Sequence, residues 1–393
     1  MLAVLRLPGV RSLFAASCLG RLPMGALGLL MILRTHELTG SFANGGLVAG
    51  SYTIALGFSN PALARVVDRA GQTLVLRTGA VISASAMAAF ALIGDVPVPA
   101  LMAVATVAGA AQPPVGACMR SLWPVLAPGA DLRHAAYALE GAAGEIIYIL
   151  GPVVIVGAIG AWSLDAALLT CAVTVLIGDT LFSLHPASRG WRPPPHAERH
   201  LLGALRGPGV VVLIAAFALC GLAVGAVEVG VPATLEPSGQ ESLTGLLLGL
   251  WGLGSLAASF LVARAGAASD PPRRLTVLLA AWGITHAALA LAAGPLTLGA
   301  LLLLAGAAIS PVLVYANGML DQLAPAGTLA EAFTWTTTGL TVGMALGAAM
   351  AGVLADQASA AAAFAVLGAG GLIAAALVHA AARGPLLPAV AAR

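Results

Sequence analysis

The chain nearly repeats itself at half its length. Ala108-Gly109-Ala110-Ala111-x-x-Pro114-Val115 returns 197 positions later as Ala305-Gly306-Ala307-Ala308-x-x-Pro311-Val312, and Leu126-Ala127-Pro128 returns as Leu323-Ala324-Pro325. At an offset of 199, Gly46-Leu47, Gly50 and Arg65 correspond to Gly245-Leu246, Gly249 and Arg264. In a chain of 393 residues this spacing predicts two copies of one unit.

What covers those units follows from the side chains. Hydrophobic residues make up 60% of the chain and charged residues 9%, against about 25% charged in a soluble domain. Polar groups this sparse cannot clothe a surface in water, so the partner is a lipid bilayer. A span needs about 20 apolar residues. Twelve runs qualify, at approximately 12–33, 43–64, 73–93, 98–118, 134–158, 162–184, 208–232, 242–264, 274–293, 296–318, 329–353 and 358–382. They are too continuously apolar for the alternating strands of a membrane barrel. The fold class expected is an all-α membrane protein of twelve transmembrane helices in two six-helix pseudo-repeats. The first run follows Arg6 and Arg11 as a signal peptide would, but it continues through Leu33 without a convincing cleavage site and reads as the first helix.

All 18 basic residues are arginine. With the N-terminus in the cytoplasm, only Arg34 lies on the far side and Arg21 lies inside a run; the other sixteen gather at the inner face. That predicts a multi-pass protein of the cell membrane with both termini cytoplasmic. The domains expected are a six-helix bundle over 1–184, a cytoplasmic linker over 185–207 containing Pro193-Pro194-Pro195, and a second bundle over 208–393. Residues 196–206 fit either a surface amphipathic helix or a solvated linker. The arginines form no basic face for nucleic acid. Cys18, Cys118, Cys171 and Cys220 stand apart in or beside apolar runs, so neither a disulfide framework nor a metal site is expected. Without lysine there is no nucleotide-binding P-loop, and no cofactor is expected. Doubled membrane bundles are the architecture of secondary transporters, which makes a small-molecule substrate the expected ligand and a monomer the expected state.

The connection between the second and third runs reads Ala64-Arg65-Val66-Val67-Asp68-Arg69-Ala70-Gly71-Gln72. It resembles the signature loop of the major facilitator superfamily, G-x-L-A-D-R-x-G-R-K. Asp68, Arg69 and Gly71 match; Ala64, Gln72 and Thr73 depart from its Gly, Arg and Lys, and Val66 and Val67 replace its Leu and Ala. The resemblance implies that Asp68, Arg69 and Gly71 form a conformational latch that biases alternating states. Gly71 suits the tight reversal and Asp68 a helix N-terminus. In the second half Arg264 persists but Asp270, Arg273 and Arg274 sit in a different spacing, so the latch is expected to be asymmetric.

The fifth run carries Glu140, Glu145, Tyr148, Gly151 and Pro152. An ionised acid at mid-bilayer costs roughly 2.5–3.5 kcal/mol even on lenient scales, and Glu145 lies about eleven residues in, some 16 Å deep at 1.5 Å per residue. Its equivalent in the second half, Val342, carries no charge. Arg21 lies at about 14 Å in the first run and is the natural partner. Proton or substrate coupling is therefore expected of Glu145 with Arg21, and of Glu140, which lies about half as deep. Gly151-Pro152 matches the core of the superfamily's antiporter segment in helix 5 and predicts a kink there, although Ile147, Ile155 and Val156 depart from the rest of the pattern. Through that core the chain resembles bacterial drug/proton antiporter-like members. Gln112, Tyr148, Trp251, Trp335 and Ser310 are candidates for the substrate cavity, and Glu228 for an external gate. Asp179, Glu331 and His286 are expected to be structural. The function expected is proton-coupled export of a small amphipathic molecule, with proton-coupled uptake next. A membrane-embedded lipid-modifying enzyme comes last, because the acids are scattered in depth and direction.

Overall fold

The computed structural model describes residues 2–128, 130–192, 203–265, 270–325 and 328–384. Among them the regular structure is helical, without strands. In lipid the backbone finds no water, so a chain this apolar must satisfy its N–H and C=O groups within helices. Ten helical segments are long and apolar enough to cross a membrane. They are α1 (Val10–Thr39), α3 (Gln72–Leu92), α4 (Val98–Leu126), α6 (Leu164–Leu184), α7 (Pro208–Leu235), α8 (Thr244–Ala265), α9 (Pro271–Leu291), α10 (Pro295–Leu320), α11 (Leu329–Gln357) and α12 (Ala360–Ala382). Two further long stretches lie among them: α2 (Phe42–Ala70), and α5 (Ala130–Leu150), which runs on as a wider, π-wound segment over Gly151–Gly160.

Local chemistry fixes the ends. Ser41, Ser163 and Ser359 each accept a hydrogen bond from a backbone N–H three residues on, opening α2, α6 and α12. Gly71 turns the chain between α2 and α3 at φ 85°, with its N–H on the Val67 carbonyl at 2.8 Å. The sequence repeat coincides with broken helices. Within 108–115 the α4 helix opens at 111–114, and within 305–312 the α10 helix opens at 307–308. The glycines just before the breaks do the same work. Gly109 presses on the backbone of Tyr52 in α2, and Gly306 on that of Trp251 in α8, too closely for any side chain.

The arginine-poor end and the arginine-rich end are built differently. At the arginine-poor end one apolar core runs through both halves, from Leu27, Leu30 and Phe42 to Val227, Leu247 and Ala351. At the arginine-rich end each half keeps its own core. One gathers Leu13, Leu76, Met119 and Phe182; the other gathers Leu213, Leu279, Met319 and Val378. The expected surface helix over 196–206 falls largely outside the described residues; only a 3₁₀ turn at Ala204–Arg206 is seen.

Candidate functional site

The seam between the halves closes through glycine. Gly46 of α2 meets the backbone of Ala348 and Ala349 in α11, and Gly352 meets Phe42 and Ala43. Gly245 of α8 meets Pro152 and Gly157, and Gly249 and Gly252 meet Val153 and Ile149 of α5. These contacts all lie toward the arginine-poor end. Polar bonds finish the seal there. The Asp356 carboxylate accepts from Ser41 Oγ at 2.6 Å and from the N–H groups of Phe42 and Ala43 at 3.0 Å each. A carboxylate from α11 thus sits on the N-terminus of α2, where the helix dipole favours it. His36, stacked on Phe42 at 3.8 Å between ring centres, reaches Glu236 at 3.3 Å.

Below the seal lies a buried ion pair. The regular helix of α1 stops at Arg21 and continues as a 3₁₀ turn, Leu22–Gly25. Arg21 Nη1 donates to Glu140 Oε1 of α5 at 2.8 Å, and the two residues are only 8% and 7% exposed. The pair is incompletely satisfied, since Arg21 Nη2 and Glu140 Oε2 are buried without a hydrogen-bond partner. Arg21 thus pairs with Glu140, the shallower of the two acids expected to couple. The side chains of Glu145, Asp68 and Arg69 lie outside the described residues.

The description of the Major Facilitator Superfamily fits residues 13–239. The chain belongs to that superfamily. Among solved structures it is similar to the nucleoside transporter NupG, at 15% identity and a TM-score of 0.74 over 94% of this chain and 98% of that one. It is also similar to the peptide transporter POT in complex with sulfate, at 14% identity and 0.76 over 97% and 96%. A POT family transporter in complex with a thioalcohol-conjugated peptide matches at 12% identity and 0.73 over 95% and 96%. At such identities the likeness shows the fold. No curated protein sequence matches. Family and fold together make the protein a multi-pass membrane transporter and not an enzyme.

The remaining site candidates of this superfamily member divide into seam and wall. Gly151 and Pro152 face the α1 break: a Cβ on Gly151 would lie 3.2 Å from the backbone of Gly25, Pro152 Cδ lies 3.3 Å from where a Cβ on Gly25 would sit, and the carbonyl of Pro152 also meets Gly245 across the seam. The expected kink in α5 is thus a π-wound segment wedged between α1 and α8. Glu228 points at Gly28 of α1 from α7, with its Oε2 3.8 Å from where a Cβ would sit, and it has no polar partner among the described residues. Tyr148 is 54% exposed. Gln112 is buried, its amide oxygen accepting from Ser83 in α3 at 3.2 Å, so it ties two helices of the wall together. Trp251 packs edge-on to His286, which stacks on Trp282 at 4.9 Å. The Trp335 N–H donates to Glu331 at 3.2 Å, and the other oxygen of Glu331 accepts from the Ala204 N–H at 3.1 Å. Ser310 is buried at the α10 break.

Sequence reasoning had no signal for Asp356, whose partners lie more than 300 positions away. Asp179, expected to be structural, is fully buried against Gly20 with neither carboxylate oxygen partnered. Arg120, read as one of the inner-face arginines, lies with Arg21 beside Gly116.

Proposed function

We propose that the protein is a proton-coupled secondary transporter of a small organic molecule, working by alternating access. The twelve-helix layout is part of that reading, with α2 and α5 as the eleventh and twelfth crossings and six helices in each half. The paired contacts of Gly109 with Tyr52 and Gly306 with Trp251, at the offset of the sequence repeat, support it. So do the paired seams of α2 with α11 and α8 with α5. The arginine-rich end is assigned to the cytoplasm, with the chain in the cell membrane and acting as a monomer. The domains are those the sequence divides at 185–207. Asp68, Arg69 and Gly71 act there as the latch, and Glu228 belongs to the gate at the sealed end.

One observation carries the reading: a core that is common to both halves at one end and separate at the other, with a half-satisfied Arg–Glu pair between them. A solute site open to one side and sealed on the other is one of the two states a rocking carrier needs. Protonating Glu140 would break the pair and change what Arg21 can bind. Export in exchange for protons is the direction that the Gly151-Pro152 core supports. Co-transport of proton and solute is favoured by the ion pair, because protonation there frees a cation. The geometry supports co-transport better.

Purified protein in vesicles, given an imposed pH gradient and a panel of labelled organic acids, amines and neutral solutes, tests this. Solute moving in with protons supports co-transport, and solute leaving as protons enter supports export. Flux indifferent to pH in the intact protein and in Glu140→Gln alike contradicts proton coupling.

A further inference from the structure

We propose that the seam between the halves holds one acyl chain of a membrane lipid, in a groove that α2, α4 and α11 open toward the bilayer, and that this chain helps keep the arginine-poor end shut. The inference goes beyond the transport reading and does not depend on proton coupling.

The groove has a volume of about 480 Å³. Its floor is the glycine seam itself. A Cβ on Gly50 would lie 3.2 Å from the Ala345 carbonyl, so α2 meets α11 there at a position without a side chain. Ala345 and Ala349 of α11 keep the groove deep. Its walls are Leu47, Ile54 and Phe58 of α2, Met102 of α4 and Leu346 of α11. No residue lining it is charged. The Ser51 hydroxyl at its edge already donates to the carbonyls of Val48 at 2.7 Å and Met102 at 3.3 Å.

This surface faces lipid and not the interior. Gly45 of α2 packs on Ile32 of α1, and Leu47, two residues on, points about 160° away. Leu47, Ile54 and Phe58 are 42%, 38% and 60% exposed. The flanking helices α4 and α11 are both long and apolar enough to cross the membrane, so the groove between them lies at bilayer depth. From Leu47 to Phe58 the helix rises about 16 Å, close to one leaflet of a hydrocarbon core about 30 Å thick. The groove begins just inside the start of α2 at Phe42, which places it in the leaflet of the arginine-poor end.

Length, depth and lining together select an acyl chain of that leaflet. A polar group would lose its water there and gain no partner. Left empty, the walls would lack atoms to touch on one side and lose that dispersion energy. The chain contacts both halves, since α2 and α4 belong to the first and α11 to the second. Parting α2 from α11 removes one wall. A ligand that fits one state better shifts the equilibrium toward it, and this one fits the sealed state.

The test uses the full-length protein in nanodiscs of dioleoylphosphatidylcholine, doped with a phosphatidylcholine that carries a diazirine on one acyl chain. After irradiation, the labelled residues are mapped by mass spectrometry. Label should concentrate on Leu47, Ile54, Phe58 and Leu346, above the comparably exposed Val277, Ile284 and Ile373 of α9 and α12. Ala349→Phe and, on the α2 side, Ala55→Phe fill the groove and should each abolish the excess; either folded variant suffices. Label spread in proportion to exposure over every apolar surface would overturn the site, as would an excess that survives the filling substitutions. Spin labels on Asp95→Cys and Glu241→Cys then read the seal. Diphytanoylphosphatidylcholine, with methyl-branched chains too broad for the groove, should lower the sealed population, and Ala349→Phe should remove the difference between the two lipids. Equal populations in both lipids with the groove unfilled would overturn the role in the seal. Failure of the transport reading is separate, because pH-driven flux with evenly spread label keeps the carrier and loses the groove.

Discussion

The two ends of the molecule are held by different chemistry. At the arginine-poor end, glycines let backbones of α2 and α11, and of α8 and α5, touch directly, and apolar side chains of both halves merge into one core. At the arginine-rich end each half closes on itself, and charge gathers around Arg21, Glu140 and Arg120. Without a hydrophobic drive between helices in lipid, association rests on close packing and a few polar bonds. A seal of that kind is tight, and the polar bonds of Asp356 and His36 pin its rim. The charged pair sits beside the break in α1 and within reach of the π-wound segment of α5.

The largest expected effect comes from removing one partner of the buried pair. Arg21→Ala leaves Glu140 buried and unpaired and should cost about 3–5 kcal/mol, read as a fall in thermal unfolding temperature in detergent. Replacing both partners by apolar residues should restore much of that stability while abolishing pH-dependent transport. A double variant as unstable as the single one would show that the pair holds the fold and not the coupling. Next comes the seal. Gly245→Val drives a branched side chain into the backbone of Pro152 and Gly157. It should cost about 1–3 kcal/mol and raise the reactivity of thiols placed along the arginine-poor end of α8. Unchanged reactivity would mean the seal bends around the insertion. A smaller effect follows at the rim. Asp356→Ala strips three hydrogen bonds from the start of α2 and should cost about 0.5–2 kcal/mol. His36→Ala beside it should cost under about 1 kcal/mol. If the order of these two were reversed, the histidine and not the helix cap would be the fastener.

Much of this was legible in the chain. Apolar runs located the helices because lipid leaves the backbone no alternative, and the repeated Ala-Gly-Ala-Ala segments marked the paired breaks in α4 and α10. Arg21 stood out because a cation inside an apolar run must find a partner. The identity of that partner was not legible. Helical depth can be counted from sequence, but the rotation of α1 and α5 that brings Arg21 to Glu140 is set by packing between helices, which no local pattern encodes. Gln112 and Trp251 illustrate a second limit. In helices that are apolar on every side, periodicity does not separate a cavity face from a wall face, and both residues are engaged with neighbouring helices. Asp356 shows a third, because its role depends entirely on a contact between halves that no local pattern encodes.

Distances measured by paired spin labels test the exchange of the two ends most directly, and they need no identified solute. Labels on Asp95→Cys and Glu241→Cys report the arginine-poor end, and labels on Val125→Cys and Arg273→Cys report the arginine-rich end, each pair in a cysteine-free background in nanodiscs. Lowering the pH or adding solute should bring up a second population in which the first distance lengthens while the second shortens. One fixed distance at each end under every condition would contradict a carrier that opens alternately to its two sides.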